Sequence, residues 1–513
     1  MAEKVVKFHR IKNAGRNIIF GGAYKLYQII VPFALRTTMI YYLGIEYVGL
    51  NSLFVAILQV LNLAELGVGS AMVFSMYKPI AEGDSETICA LMQLYKRYYR
   101  LIGFVVLSLG LLLTPFLRYL VKGDVPDGLN LYVLYFLNLG ATVLSYWLFA
   151  YKNCLLTAHQ RSDLTSKVGI VISTAEYMLQ FVTLIAFRNY YFFLIIKMLM
   201  QIARNIVTSV VSGKQYPDYF PGGQLSKEKS TAINQKVKDL FTAKLGGVIV
   251  NSVDSIVISA FLGLSTLAIY NNYYYILSSV VGFIAIIFSS CLAGIGNSLV
   301  TETSEKNYKD FCTFTLLIAW LAGFCSCCLL CLYQPFMLVW LKDTAVMLGM
   351  KEVVWLVSYF FVFEMVSLMI QYKDAAGIWH EDRFRPLVTA LSNLAINIIL
   401  VQYIGVVGVL LSTVISFAFI GMPWLIHNIF KLLFHRSPAD YIKRLFCYVL
   451  VTLVACVLCY FTCSYVPWDG WIGIIVKSTI CVVISNIVFT IVYCRMDEFE
   501  HVKVLFLRLI KKG

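Results

Sequence analysis

Charge is scarce in this sequence. Only 14% of its 513 residues are charged, against about 25% in soluble domains. A soluble chain of this length would fold as about three domains, whose surfaces so few charges cannot coat. Soluble globular and disordered classes are therefore excluded. Acidic residues are the scarcer sign, 28 Asp and Glu against 42 Lys and Arg, and there are only six histidines. No G-x-x-x-x-G-K-[ST] loop and no H-E-x-x-H helix occurs, so nucleotide hydrolysis and zinc-peptidase chemistry have no motif to rest on.

Apolar residues take the place of the missing charge. They make up 60% of the chain, at a mean hydropathy of +0.77, and recur in runs of about 20 residues, the length that crosses a bilayer as a helix. Bounded by charge, Gly or Pro, the runs fall at 17–42, 47–74, 98–121, 129–151, 165–187, 190–211, 240–261, 266–299, 311–341, 353–372, 386–403, 406–430, 445–466 and 471–493. The expectation is an all-α polytopic membrane protein with about 14 transmembrane helices.

The basic residues lie mostly in alternate loops. With both termini placed in the cytoplasm, where Lys4, Lys7, Arg10, Lys12 and Arg16 precede the first run, about 31 of the 42 fall on that side and about six on the other, the asymmetry that governs insertion. The net charge of +14 is thus topological and calls for no nucleic acid. The first run holds Lys25 and Arg36 and lacks a small-residue cleavage site, so it is expected to remain as a helix. No connection is long enough to be a domain; the longest, 214–235, is rich in Pro, Gly and charge and reads as a cytoplasmic linker.

Most of the 14 cysteines sit inside apolar runs, among them Cys325, Cys327, Cys328, Cys331, Cys456, Cys459 and Cys463. They read as small apolar helix residues, with no disulfide framework, no metal site and no cofactor. His159 and His380, each in a basic cytoplasmic loop, read as solvated.

The chain repeats. A shift of 219 lays Lys25, Leu26, Ile30, Val31 and Leu43-Gly44 on Lys244, Leu245, Ile249, Val250 and Leu262-Gly263. A shift of 221 lays Tyr151-Lys152-Asn153 and His159 on Tyr372-Lys373-Asp374 and His380. Two matches at nearly one period argue for two pseudo-symmetric six-helix lobes around a central cavity, 1–213 and 236–433, with two helices and a basic cytoplasmic tail appended at 434–513. A repeat that preserves orientation suits lobes that rock about a cavity.

A charge inside hydrocarbon costs about 2.5 to 3.5 kcal/mol, so charges retained within runs are candidates for function. Lys25 and Arg36 share a helix face about 16 Å apart along it, and Lys244 is the counterpart of Lys25. Such cations suit a phosphate or diphosphate, Arg by paired hydrogen bonds and Lys as a point charge. Snorkelling to the interface would equally place Lys25, Lys244, Lys197 and Arg204. The acids Glu65, Glu176, Asp254 and Glu364 either pair with these cations or take up H⁺ or Na⁺ to drive a conformational cycle. In the run Asn271-Asn272-Tyr273-Tyr274-Tyr275, the amides of Asn271 and Asn272 and the ring of Tyr274 suit a sugar, hydrogen bonding at its rim and stacking on its face.

The pattern R-x-x-M-I-Y-Y-L-G-I-E-Y-V-G-L-N from Arg36 to Asn51, the pattern L-N-L-A-E-L-G-V-G-S-A from Leu61 to Ala71, and the six-plus-six repeat with two extra helices resemble one family. The chain is similar to the bacterial polysaccharide flippases, the O-antigen and capsule exporters of the multidrug/oligosaccharidyl-lipid/polysaccharide exporter superfamily. That resemblance implies a transporter, not an enzyme, in the bacterial plasma (inner) membrane. Its cargo would be an undecaprenyl-diphosphate-linked oligosaccharide, moved from the cytoplasmic to the outer leaflet by alternating access and coupled to an ion gradient. Arg36, Lys25 and Lys244 would then meet the diphosphate, grooves beside the appended helices would take the lipid tail, and polysaccharide assembly proteins and membrane lipids would be its partners. The cavity arginines characteristic of lipid II flippases do not map cleanly onto the chain, and drug exporters usually have twelve helices. A membrane-embedded polysaccharide polymerase or ligase is the rival of another class, and the outer loops are short for one.

Overall fold

The computed structural model describes residues 10–123, 125–289 and 292–503, and every regular element among them is helical. The chain forms two compact units, Met1–Ala268 and Ile269–Gly513. The first contains α1 (Arg10–Tyr42), α2 (Ile45–Leu61), α3 (Val68–Glu82), α4 (Ser85–Leu113), α5 (Leu131–Trp147), α6 (Asn153–Ala158), α7 (Ser162–Val182), α8 (Tyr190–Gln215) and α9 (Lys227–Leu262). The boundary falls within α10 (Leu264–Ser289), and the second unit continues with α11 (Leu292–Thr301), α12 (Ser304–Leu341), α13 (Met350–Ala375), α14 (Arg385–Ile415), α15 (Met422–Ile429), α16 (Ala439–Ser464) and α17 (Gly470–Tyr493).

Small polar residues fix where helices start, because their side chains take up backbone N–H groups that the first turn leaves without partners. Asp84 accepts from Thr87 N at 2.9 Å ahead of α4, and hydrogen bonding to Thr87, by its side chain first and then its backbone N–H, holds the Asp84 carboxyl below the usual carboxylate range. Asn130 caps α5, Asn189 α8, Ser226 α9 and Thr303 α12 in the same way.

Among the described residues nine helices are long and apolar enough to cross a membrane, or ten if the bent pair Leu131–Trp147 and Ala150–Ala158 counts as one span. The protein is therefore multi-pass. One of the nine, Arg385–Phe434, runs for 50 residues. It is divided at Ile404 and Gly405 (φ 58°, ψ −135° at the glycine), where the sequence separates two apolar runs. Of three further runs, 17–42 lies on α1 and 240–261 on α9, helices of 33 and 36 residues, while 266–299 takes in both α10, of 26 residues, and the start of α11.

Two expected spans are broken. The run at 47–74 is not one helix: α2 ends at Leu61, a 3₁₀ turn covers Asn62–Glu65, and α3 starts after Gly67. Gly67 sits at φ 86°, and a Cβ there would lie 2.7 Å from Leu240 Cβ and 2.9 Å from the Val237 carbonyl oxygen of α9. Only glycine meets both demands. The run at 129–151 bends by 50° after Trp147, where Phe149 is held at φ 60°.

The sequence repeat has a backbone counterpart. α1 and α2 are joined by Gly44 (φ 119°, ψ 162°), and α9 and α10 by Gly263 (φ 96°, ψ 172°), 219 residues later. Each unit has its own core. Phe54, Met72, Met76 and Tyr135 are buried in the first, and Phe311, Phe360, Met369 and Phe430 in the second. On α16 and α17 the large apolar side chains Phe446, Val457, Ile472 and Ile475 instead point outward, as expected of a surface that meets lipid.

Candidate functional site

The break between α2 and α3 opens a cavity of about 370 Å³ in the first unit, lined by Gln59, Asn62, Glu65, Gly69, Ser70 and Val248. Glu65 closes the 3₁₀ turn. Its carboxylate accepts hydrogen bonds from Tyr99 of α4 at 2.6 Å and from Tyr146 of α5 at 2.8 Å. Tyr95 in turn donates to Tyr99 at 2.8 Å. Gln59 accepts from Ser252 of α9 at 3.1 Å, and the buried side-chain oxygen of Asn62 has no hydrogen-bond partner among the described residues. A carboxylate and two amide oxygens at a helix break are a donor set suited to a proton or a hard cation. Glu65 was expected from the sequence; Tyr99, Tyr146, Gln59 and Asn62 were not. The signal for the amides was present, since Gln59, Asn62 and Glu65 recur every third residue in an otherwise apolar stretch.

The remaining acids are placed differently. Glu176 of α7 pairs with Arg204 of α8 at 3.2 Å, and Arg204 also donates to Ser173 at 2.9 Å. Asp254 is buried on α9, two residues beyond Ser252. Glu364 is buried on α13 in the second unit, and its Oε1 has no hydrogen-bond partner among the described residues.

Of the expected diphosphate ligands, Lys25 is exposed on α1 and Arg36 is half-buried on the same helix. Lys244 lies on α9 one turn before Val248, and its side chain is outside the described residues. The sugar candidates fall on α10. Asn272 is fully buried with neither amide atom hydrogen-bonded, and Asn271 Nδ2 is likewise without a partner among the described residues. Tyr274 stacks on Tyr270 at 5.8 Å and on Tyr359 at 6.4 Å between ring centroids. Their neighbour Tyr273 is a packing residue, buried and donating to Gln334 at 2.8 Å.

Each unit also carries a buried aspartate tied by cations, 219 residues apart. Asp163 is held by Arg161 at 2.9 Å and Lys167 at 3.6 Å. Asp382 is held by Arg385 at 2.7 Å and Lys373 at 3.5 Å. His159 is not solvated, contrary to the sequence expectation. Its ring stacks on Tyr216 at 4.1 Å, its Nδ1 lies 2.9 Å from the Leu155 carbonyl oxygen, and burial pushes its pKa down. His380, in the matching loop, is exposed as expected.

The arrangement of the helices has solved counterparts. The lipid II flippase MurJ in its inward closed conformation aligns with a TM-score of 0.64 at 15% identity, over 93% of this chain and 99% of its own. The fold is that of these transporters. An inward-facing multidrug-resistance MATE transporter of the MOP superfamily aligns at 0.61 and 13% identity, over 79% of this chain and 96% of its own. A variant of the Vibrio cholerae MATE transporter VcmN aligns at 0.54 and 14%, over 83% and 99%. No protein-family model and no curated protein matches the sequence.

Proposed function

We propose that this protein is a flippase that carries an undecaprenyl-diphosphate-linked oligosaccharide from the cytoplasmic to the outer leaflet of a bacterial plasma membrane, with both of its termini in the cytoplasm. The observation that carries the proposal is the reach of the MurJ match. Coverage of 93% leaves about 36 of the 513 residues unmatched, fewer than the 26 and 24 residues of α16 and α17 together, so the likeness extends into the appended helices. The MATE matches, at 79 to 83%, leave enough of the chain unmatched to omit that pair. Two extra helices beside a transporter core suit a cargo with a long lipid tail better than a small drug.

In this reading Arg36, Lys25 and Lys244 meet the diphosphate, and Asn271, Asn272 and Tyr274 meet the sugar. Glu65, in the cavity at the break between α2 and α3, takes up the driving ion, with the buried acids Asp254 and Glu364 as the other candidates. Glu176 is engaged by Arg204 and serves structure. Six-helix lobes at 1–213 and 236–433 would alternate in access. Lipid II itself is the second reading, because MurJ is a lipid II flippase.

Proteoliposomes test both readings. A fluorescent undecaprenyl-diphosphate oligosaccharide and lipid II are offered in parallel under imposed H⁺ and Na⁺ gradients, to native protein, Arg36→Ala and Lys25→Ala/Lys244→Ala. Movement of the oligosaccharide lipid by native protein, lost in folded charge variants, supports the proposal. Movement of lipid II alone selects the second reading, and movement of neither overturns both.

A further inference from the structure

Six thiols that the sequence presents as filler converge where α12, α16 and α17 pack in the second unit. Cys327 and Cys331 stand one turn apart on α12, Cys456, Cys459 and Cys463 recur along one face of α16, and Cys481 faces them from α17. All six are buried. The Sγ atoms of Cys327 and Cys456 are 3.6 Å apart and those of Cys463 and Cys481 are 4.0 Å apart. Those of Cys331, Cys463 and Cys481 all lie within 4.8 Å of one another. Sulfur ligands at about 2.3 Å from a tetrahedral metal ion stand about 3.8 Å from each other, so the three thiols already approach the spacing of a coordination shell.

A cavity of about 310 Å³ leads to them. Its wall includes Cys331, Cys463 and, one turn before Cys481 on α17, Lys477, and it extends to Met347, Met350 and Asp469, which lie in or beside the connections that join α12 to α13 and α16 to α17. Buried thiols and less buried thioethers in one cavity wall form a lining suited to soft cations. Charge narrows the choice. A divalent ion bound by two thiolates and one neutral thiol carries no net charge, the least costly state within a membrane; forming it releases two protons.

We propose that Cys331, Cys463 and Cys481 form a binding site for a thiophilic divalent d¹⁰ cation of the Zn²⁺ and Cd²⁺ class, loaded past Met347 and Met350. Bound there, the ion ties the appended helices α16 and α17 to α12. The inference does not depend on the identity of the transported cargo.

The test uses the full chain, reduced and purified in lipid nanodiscs, with Cd²⁺ as the probe. After one equivalent of Cd²⁺ and desalting, metal content is measured together with the ultraviolet thiolate-to-cadmium charge-transfer band. Native protein is expected to retain close to one Cd²⁺ and to show the band. Cys331→Ser/Cys463→Ser/Cys481→Ser is expected to lose both, while Cys89→Ser/Cys447→Ser/Cys494→Ser, which alters thiols away from the cluster, keeps both. If the first triple variant does not fold, Cys481→Ser alone is expected to weaken binding at least tenfold. Met347→Leu/Met350→Leu is expected to slow loading several-fold at unchanged stoichiometry. Native protein that retains no Cd²⁺, or a folded Cys331/Cys463/Cys481 variant that retains as much as native, overturns the assignment.

Discussion

Replacing Glu65 by Gln separates the two duties of that side chain. The carboxylate accepts from Tyr99 at 2.6 Å and from Tyr146 at 2.8 Å, and each such bond to a charged acceptor contributes about 1.5 to 3 kcal/mol. An amide accepts from one phenol through its oxygen and donates its NH₂ to the oxygen of the other, so two neutral bonds of about 0.5 to 1.5 kcal/mol each replace the charged ones. Because the site is only partly buried, the net loss is about 1 to 3 kcal/mol. Tyr146→Phe removes one bond and leaves the carboxylate, a loss of about 1.5 to 3 kcal/mol. Thermal unfolding in detergent reads this stability difference. A pH-sensitive dye inside proteoliposomes reads protons moved during cargo transport. Both variants should unfold at lower temperature, but only Glu65→Gln should lose proton movement. If Glu65→Gln moves as many protons per cargo as native protein, Glu65 is not the coupling group.

Three further outcomes follow from the packing. A Cβ on Gly49 would lie 2.1 Å from the Leu264 carbonyl oxygen, so Gly49→Ala should cost about 1 to 3 kcal/mol through overpacking, whereas Gly140→Ala, with open space around it, should not lower the unfolding temperature. Glu176→Gln leaves Arg204 its bond to Ser173 but no anionic partner; breaking a buried pair costs about 3 to 5 kcal/mol, and about 1 to 3 here because Arg204 is 28% exposed. The double variant Glu176→Gln/Arg204→Gln should recover much of that loss in the same unfolding assay. His159 resists protonation when folded because it is buried. Its contribution is therefore complete above the unfolded value of about 6.5 and is lost as pH falls below it, while the unfolded chain gains the proton. The unfolding temperature measured between pH 7.5 and 5 should fall less steeply in His159→Phe than in native protein.

The fold was legible because a bilayer leaves few options. Apolar runs of span length and the placement of Lys and Arg indicated a multi-pass helical protein, and the boundary between 386–403 and 406–430 coincides with the turn at Gly405. The break at Gly67 was not legible. A glycine within an apolar run can mark a close helix contact or a left-handed turn, and only the approach of Val237 and Leu240 on α9 decides it. Glu65 stood out as a charge in hydrocarbon, but its phenol donors come from α4 and α5, 34 and 81 residues away, a distance that no local pattern reports. His159 was misjudged because the aromatic rings that bury it, Tyr216 and Tyr219, lie beyond two further helices. The cysteines were read as filler although Cys328–Cys331 and Cys456–Cys459 have C-x-x-C spacing. The cluster itself combines one face each of α12, α16 and α17, so it exists only in the tertiary packing.

Transbilayer movement of a fluorescent undecaprenyl-diphosphate oligosaccharide in proteoliposomes tests the central claim most directly. A lipid-linked cargo predicts that native protein brings the label to the opposite leaflet, and that folded Arg36→Ala protein does so at least tenfold more slowly. Native protein that leaves the lipid in its original leaflet under both H⁺ and Na⁺ gradients, while exporting a small cationic drug, would contradict it.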